Sequence, residues 1–235
     1  MAWRTGSSTG RSRSWRSVDS RPGQPVISSH AKPTESPKLV LSEYGYDLEL
    51  KQLMLTGYVD SDMLDRTAIV SLQMDLKPGD VLTCIVATPG GCMYNGLGIY
   101  DLLCWLRETK GVTIRMIGVG YIMSMGTVLI QAASPGERVL LPSTSLMVHL
   151  GHETIPPDTH PNERKRITAE FDRISDQAFA IVAARMGVTL EKWKKNHALD
   201  TYFSAEKAVS VGLADSIIAL EVPRGEVKKR SRRKA

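Results

Sequence analysis

Residues 81–120 contain the pattern that most restricts the fold. VLTCIVA (81–87) is an apolar run of strand length, TPGG (88–91) is a turn, MYNGLGIYDLLCWLRE (93–108) has apolar residues at helical spacing, and VTIRMIGVG (112–120) is a second apolar run. A helix that carries the chain back between two such strands makes them parallel neighbours, and a parallel strand is apolar because it lies inside the protein. The unit repeats. KQLMLTGYV (51–59) predicts a strand and SDMLDRTAIVSLQMDL (61–76) a helix behind a Ser or Asp cap, stopped by Lys77-Pro78-Gly79-Asp80. Further on, the spacing predicts a helix over 124–133, short strands at 137–142 and 145–150, a long helix over about 162–186 and a smaller one near 190–196. Repeated strand-turn-helix units give an α/β fold with a largely parallel sheet, whose chemistry gathers at the carboxyl ends of the strands.

With 235 residues, 42% of them hydrophobic, the chain has material for one sizeable core and at most two domains. No window approaches the apolar length of a membrane span, and residues 1–30 lack the apolar centre of a secretory signal, so no membrane association is expected. Cys84, Cys92 and Cys104 are an odd number inside apolar segments without zinc-site spacing, and they read as reduced core residues of a reducing compartment, with no metal.

The net charge of +5 averages unlike parts. Residues 1–38 carry +5, residues 222–235 carry +6, and the body between them carries −6. The expected organisation is a basic N-terminal extension over 1–46, a single domain over 47–221 and a basic tail over 222–235. Neither end has the apolar periodicity of a core segment, so both read as disordered. Such ends suit contact with nucleic acid, an acidic partner or an import receptor, or no specific role. The Arg- and Ser-rich start also fits an organelle transit peptide. The cytoplasm is the expected location, and an imported copy is the alternative.

Residues 120–129, GYIMSMGTVL, place one serine in an apolar run. Ser124 at a helix start reads as a cap. It also stands at a strand end, like the Gly90-Gly91 turn, and bare amides from two such turns beside one hydroxyl suit an oxyanion. A serine nucleophile needs a base. His149 ends the apolar strand SLMVH, with His152 as its nearest rival; His197 lies in a charged stretch that reads as surface. Asp200, in HALDTYFSAEKA, is a candidate orienting acid and equally a loop aspartate in an irregular segment before a helix starting near Ser204.

The ordered motifs IVATPGG, GYIMSMGTVLIQAASPGERVLLPSTSLMVH and DTYFSAEKAVSVGLADSI resemble the Clp protease proteolytic subunit family over roughly residues 47–220. The resemblance implies a ClpP/crotonase-like fold with a protruding handle over about 150–190. It places Ser124 on the nucleophile, His149 on the general base, Asp200 on the orienting acid, and Gly91 and Met125 on the amides of the oxyanion hole. It further implies a serine endopeptidase without cofactor, acting on unfolded polypeptide inside a chamber of seven-membered rings, single or stacked, and fed by an ATP-driven unfoldase. The absence of a Gly-x-x-x-x-Gly-Lys pattern assigns nucleotide use to that partner. The sequence departs from the family at Ile122-Met123, where small residues are usual, and at His149-Leu150-Gly151-His152-Glu153-Thr154-Ile155-Pro156-Pro157, whose two prolines remove backbone donors where rings would pair. A divergent member with basic ends fits a phage-encoded or an organellar copy. A phage procapsid maturation protease, a non-catalytic structural subunit of a mixed ring, an acyl-coenzyme A enzyme of the crotonase type and a nucleic-acid-binding module are the competing functions.

Overall fold

A short antiparallel start, β1 (Tyr46–Asp47) on β2 (Gln52–Thr56), leads into a sheet whose central strands are parallel. The structure, a computed structural model, describes residues 46–220, and the basic ends lie outside them. In chain order there follow α1 (Ser61–Gln73), β3 (Val81–Thr88), α2 (Met93–Lys110), β4 (Thr113–Met123), α3 (Met125–Leu129), β5 (Arg138–Leu140), β6 (Ser145–Val148), α4 (Pro161–Arg185), α5 (Leu190–Asn196), β7 (Thr201–Ser204), α6 (Ala205–Ser210) and β8 (Ser216–Ile217). The sheet runs β1-β2-β3-β4-β5-β8, with β6 attached to β4 and β7 to β6. The α/β reading of the sequence therefore holds.

Local chemistry explains the borders. Asp60 accepts the Met63 amide at 2.9 Å and starts α1. Gly111, at φ 65°, closes α2 in the left-handed conformation behind Arg107 and Lys110. Pro161 occupies the first turn of α4, where its missing N–H costs nothing. Alternate residues of β3 and β4 are buried, and Leu82, Cys84, Val86 and Ile114 meet Ile99, Leu103 and Leu106 of α2 in one core. The opposite face of these strands is only half-buried.

β4 has an irregularity that decides where the site lies. Its pairing with β3 slips by two residues between Val86↔Gly118 and Thr88↔Ile122. Gly120, at φ 67°, lies within the slip, a backbone conformation that favours glycine. Before it, Met116 to Gly118 pair with β5; after it, Tyr121 to Met123 pair with β6. Periodicity predicted a strand ending at Gly120 and a helix over 124–133. The strand instead continues to Met123, and the helix is one turn plus a 3₁₀ turn over Ile130–Ala132.

Arg138 of β5 is buried, and its guanidinium donates to Asp215 at 2.5 and 3.0 Å, to Gln131 Oε1 at 2.8 Å and to the Gly212 carbonyl at 2.8 Å. This network joins β5, the 3₁₀ turn and the approach to β8. Among the described residues, no helix is long and apolar enough to cross a membrane, and no group of three or more His, Cys, Asp or Glu is placed to hold a metal ion.

Candidate active site

Ser124 follows β4 directly and takes φ 51°, ψ −121°, a sparsely populated conformation for a residue with a side chain. Such strain costs on the order of 1–3 kcal/mol and persists only where the surroundings impose it. Here the Ser124 amide donates to the Met147 carbonyl at 2.8 Å, while its carbonyl accepts from the Thr127 amide at 2.9 Å and the Thr127 hydroxyl at 2.7 Å. The side chain makes no capping bond, so the capping role open on the sequence is not the one it fills. Its Oγ stands 2.7 Å from His149 Nε2.

His149 comes just after β6, and β6 pairs in parallel with the last residues of β4, so nucleophile and imidazole sit at neighbouring strand ends. Asp200 comes just before β7, which runs antiparallel to β6 with Val148 opposite Thr201. Its Oδ1 lies 3.3 Å from His149 Nδ1, and its side chain is 55% exposed against 20% for His149. A carboxylate accepts and does not donate, so it favours the tautomer with the proton on Nδ1, which leaves Nε2 free to accept from the Ser124 hydroxyl. His152, the rival base, has its ring centroid 6.4 Å from that of His149, while the Ser124 hydroxyl bonds to His149.

The turn after β3 packs against this serine. A Cβ on Gly90 would come within 2.6 Å of Ser124 Cβ and 3.0 Å of the Met125 amide nitrogen, so glycine at 90 permits the close approach of two turns. Thr88 Oγ1 accepts the Gly90 amide at 3.0 Å and holds the turn. Val59 then pairs with the Gly90 carbonyl at 2.9 Å and the Cys92 amide at 2.8 Å. In a parallel bridge those two neighbours face the partner strand, so the amide of Gly91 itself faces the other way. Met125 is the first residue of α3, where an amide has no partner within the helix. Gly91, Met125, Ser124 and His149 all line one groove of about 1070 Å³, and Asp200 stands behind the histidine.

Two readings of the sequence change. Cys92 is exposed on the groove wall, whereas Cys84 is buried with its thiol pushed up to about 12 by burial. His197 is a buried ring between Trp193 and Phe203, and burial lowers its pKa. Residues 149–160 form no strand, in keeping with the two prolines read there. Reading the sequence also missed the far wall of the groove, built from α4 and α5 by Phe179, Val182 and Trp193. Apolar residues at helical spacing read only as core, and nothing local marks them as lining.

Fold and site together define an α/β protein with a Ser–His pair at the carboxyl ends of adjacent parallel strands. The Clp protease family model matches residues 41–221, and the chain belongs to that family, with the proteolytic function that membership supports. One relative, the ATP-dependent Clp protease proteolytic subunit of Deinococcus radiodurans, is 29% identical over 161 residues, which span 68% of this chain and 76% of the relative. Among solved structures, a ClpP1 variant from Listeria monocytogenes superposes with a TM-score of 0.65 at 20% identity, over 77% of this chain and 97% of that one, a likeness of fold.

Proposed function

We propose that the chain is a serine endopeptidase that cuts unfolded polypeptide. The observation that carries this reading is the 2.7 Å approach of Ser124 Oγ to His149 Nε2 at a strained backbone position. His149 takes the hydroxyl proton as the oxygen attacks a peptide carbonyl, and the amides of Gly91 and Met125 hold the resulting oxyanion. His149 then protonates the leaving amine, and water releases the acyl group by the same route. Asp200 orients the imidazole and stabilises its charged form.

The chain works in a homo-oligomeric ring, of seven subunits or of two stacked sevens, that encloses the groove and receives substrate from an ATP-driven unfoldase. The description of the Deinococcus relative as ATP-dependent supports such a partner. The cytoplasm is the setting, and the basic ends, outside the described residues, contact nucleic acid or an acidic partner.

A fluorophosphonate probe, applied to wild type and Ser124→Ala with the native mass measured in parallel, tests the proposal. Labelling of Ser124 in wild type, absent from the variant, is the expected result. An intact ring that takes up no label would replace the proposal with a non-catalytic structural subunit.

A further inference from the structure

α2 holds a glycine that its own backbone does not require. Gly96 is buried inside this 18-residue helix and has no left-handed φ, so alanine would ordinarily be the more stable residue there. The need for glycine comes from a neighbour. A Cβ at position 96 would come within 2.5 Å of Met125 Cε and 3.0 Å of its sulfur, and closer still to its Cγ. Met125 is 3% exposed, and its thioether lies across that bare stretch of helix.

This contact joins the two sides of the proposed oxyanion hole. Gly91 and Gly96 belong to one continuous segment, tied down where the Cys92 amide donates to the Val59 carbonyl at 2.8 Å and the Gly96 amide to the Cys92 carbonyl at 3.0 Å. Met125 meets that segment twice, with its amide nitrogen close to Gly90 and its side chain over Gly96. The next residue of α3, Gly126, lies as tightly on β3, for a Cβ there would stand 2.6 Å from Thr88 Cγ2. The backbone of α3 is thus confined by Gly90 and Thr88, and the seat at Gly96 confines the side chain.

We infer that Gly96 is a positioning residue: by seating the Met125 side chain, it sets where the Met125 amide points relative to that of Gly91. Alanine at 96 would press on Met125 at Cγ, one bond beyond Cβ. A methionine can swing its thioether end aside, but a clash so near the backbone moves residue 125 itself. The inference rests on the amides of Gly91 and Met125 holding the oxyanion.

The test compares Gly96→Ala with wild type, both as assembled protein, in peptide turnover and in binding of a peptide boronate. The boron takes up the Ser124 oxygen, the hydroxyl proton passes to His149, and one boron hydroxyl then occupies the oxyanion position. In Gly96→Ala, kcat should fall roughly 10- to 100-fold with KM within about 2-fold, and the boronate Kd should rise by a like factor. An amide moved out of line costs less than the roughly 10²- to 10³-fold loss on removing one. Adding Gly96→Ala to Met125→Ala, where no thioether lies across position 96, should change neither quantity further. Met125→Ala alone empties the seat and should weaken boronate binding with KM kept, which covers a Gly96→Ala protein that fails to assemble. Unchanged boronate binding in either variant, a KM raised as much as the boronate Kd, or an equal effect of Gly96→Ala in both backgrounds overturns the inference. Wild type that takes up neither boronate nor fluorophosphonate overturns the peptidase reading, and the inference with it.

Discussion

Asp215 meets Arg138 beside β5 through bonds of 2.5 and 3.0 Å, with the Arg138 side chain 7% exposed; Asp200 meets His149 beyond the end of β6 at 3.3 Å with more than half of its own side chain in solvent. Both pair an acid with a nitrogen base across sequence-distant segments of one sheet, yet their surroundings give them different work. Arg138 is also bonded to Gln131 and to the Gly212 carbonyl, so its desolvated charge is compensated on several sides. Removing Asp215 would leave that buried charge with neutral acceptors but without its counter-charge. The pair at His149 is longer than the ~2.8 Å of a charge-assisted bond and stays hydrated, so it contributes little to folding and remains free to respond to charge on the imidazole. One pair holds the fold, and the other is the one to which the proposed mechanism gives the chemistry.

The sharpest division should come from Ser124→Ala, with peptide turnover lowered roughly 10⁴- to 10⁶-fold and ring mass unchanged. Asp200→Asn should follow, with kcat down roughly 10²- to 10⁴-fold through loss of the correct tautomer, and an unfolding free energy within about 0.5 kcal/mol of wild type. Denaturant titration beside steady-state kinetics measures both quantities, and a large stability loss in that variant would break the comparison. Asp215→Ala should reverse the pattern, costing about 3–5 kcal/mol of stability because the Arg138 guanidinium is stranded. Adding Arg138→Met to that variant should recover part of the loss.

The smallest effect is in acid. Burial alone would raise the Asp215 pKa, but its hydrogen bonds from the Arg138 side chain and backbone more than offset this and hold it below the ordinary 3.8. A carboxyl with a lowered folded-state pKa adds stability that is complete above the unfolded value and disappears as pH falls through the folded one. Urea midpoints should therefore show no Asp215 contribution to pH dependence between neutrality and 3.8, and a decline below it that Asp215→Asn lacks. Glu170, held at about 2 by Arg173 and Tyr94, titrates in the same range, but its contacts are exposed and salt should weaken that part selectively.

What the sequence made legible was whatever repeats or stands in order. The apolar runs around residues 81–120 announced parallel strands, and the ordered motifs singled out the residues that the fold brings together at Ser124 and His149. Features set by three-dimensional context left no such trace. The slip at Gly120 is invisible because the apolar pattern runs through it without a break. β7 is four residues with a single buried position, too short for alternation to be read, so Asp200 looked like part of a loop. His197 follows Trp193-Lys194-Lys195-Asn196 and reads as surface until Phe203 of β7, the next element, closes over it.

The slip in β4 also has a mechanical consequence. Beyond Gly120 the strand leaves β5 and takes up β6, which in turn carries β7, so Ser124, His149 and Asp200 hang on one three-stranded flap joined to the main sheet. The amide of Gly91 belongs to the main sheet instead, anchored through Val59. That flap is tied back to the main sheet by Ile122, which pairs with Thr88 of β3, and by Ser124, which packs against the Gly90 turn. The slip thus hands β4 from one neighbour to another while the strand that bears the Gly91 turn keeps its hold on both sides of the join.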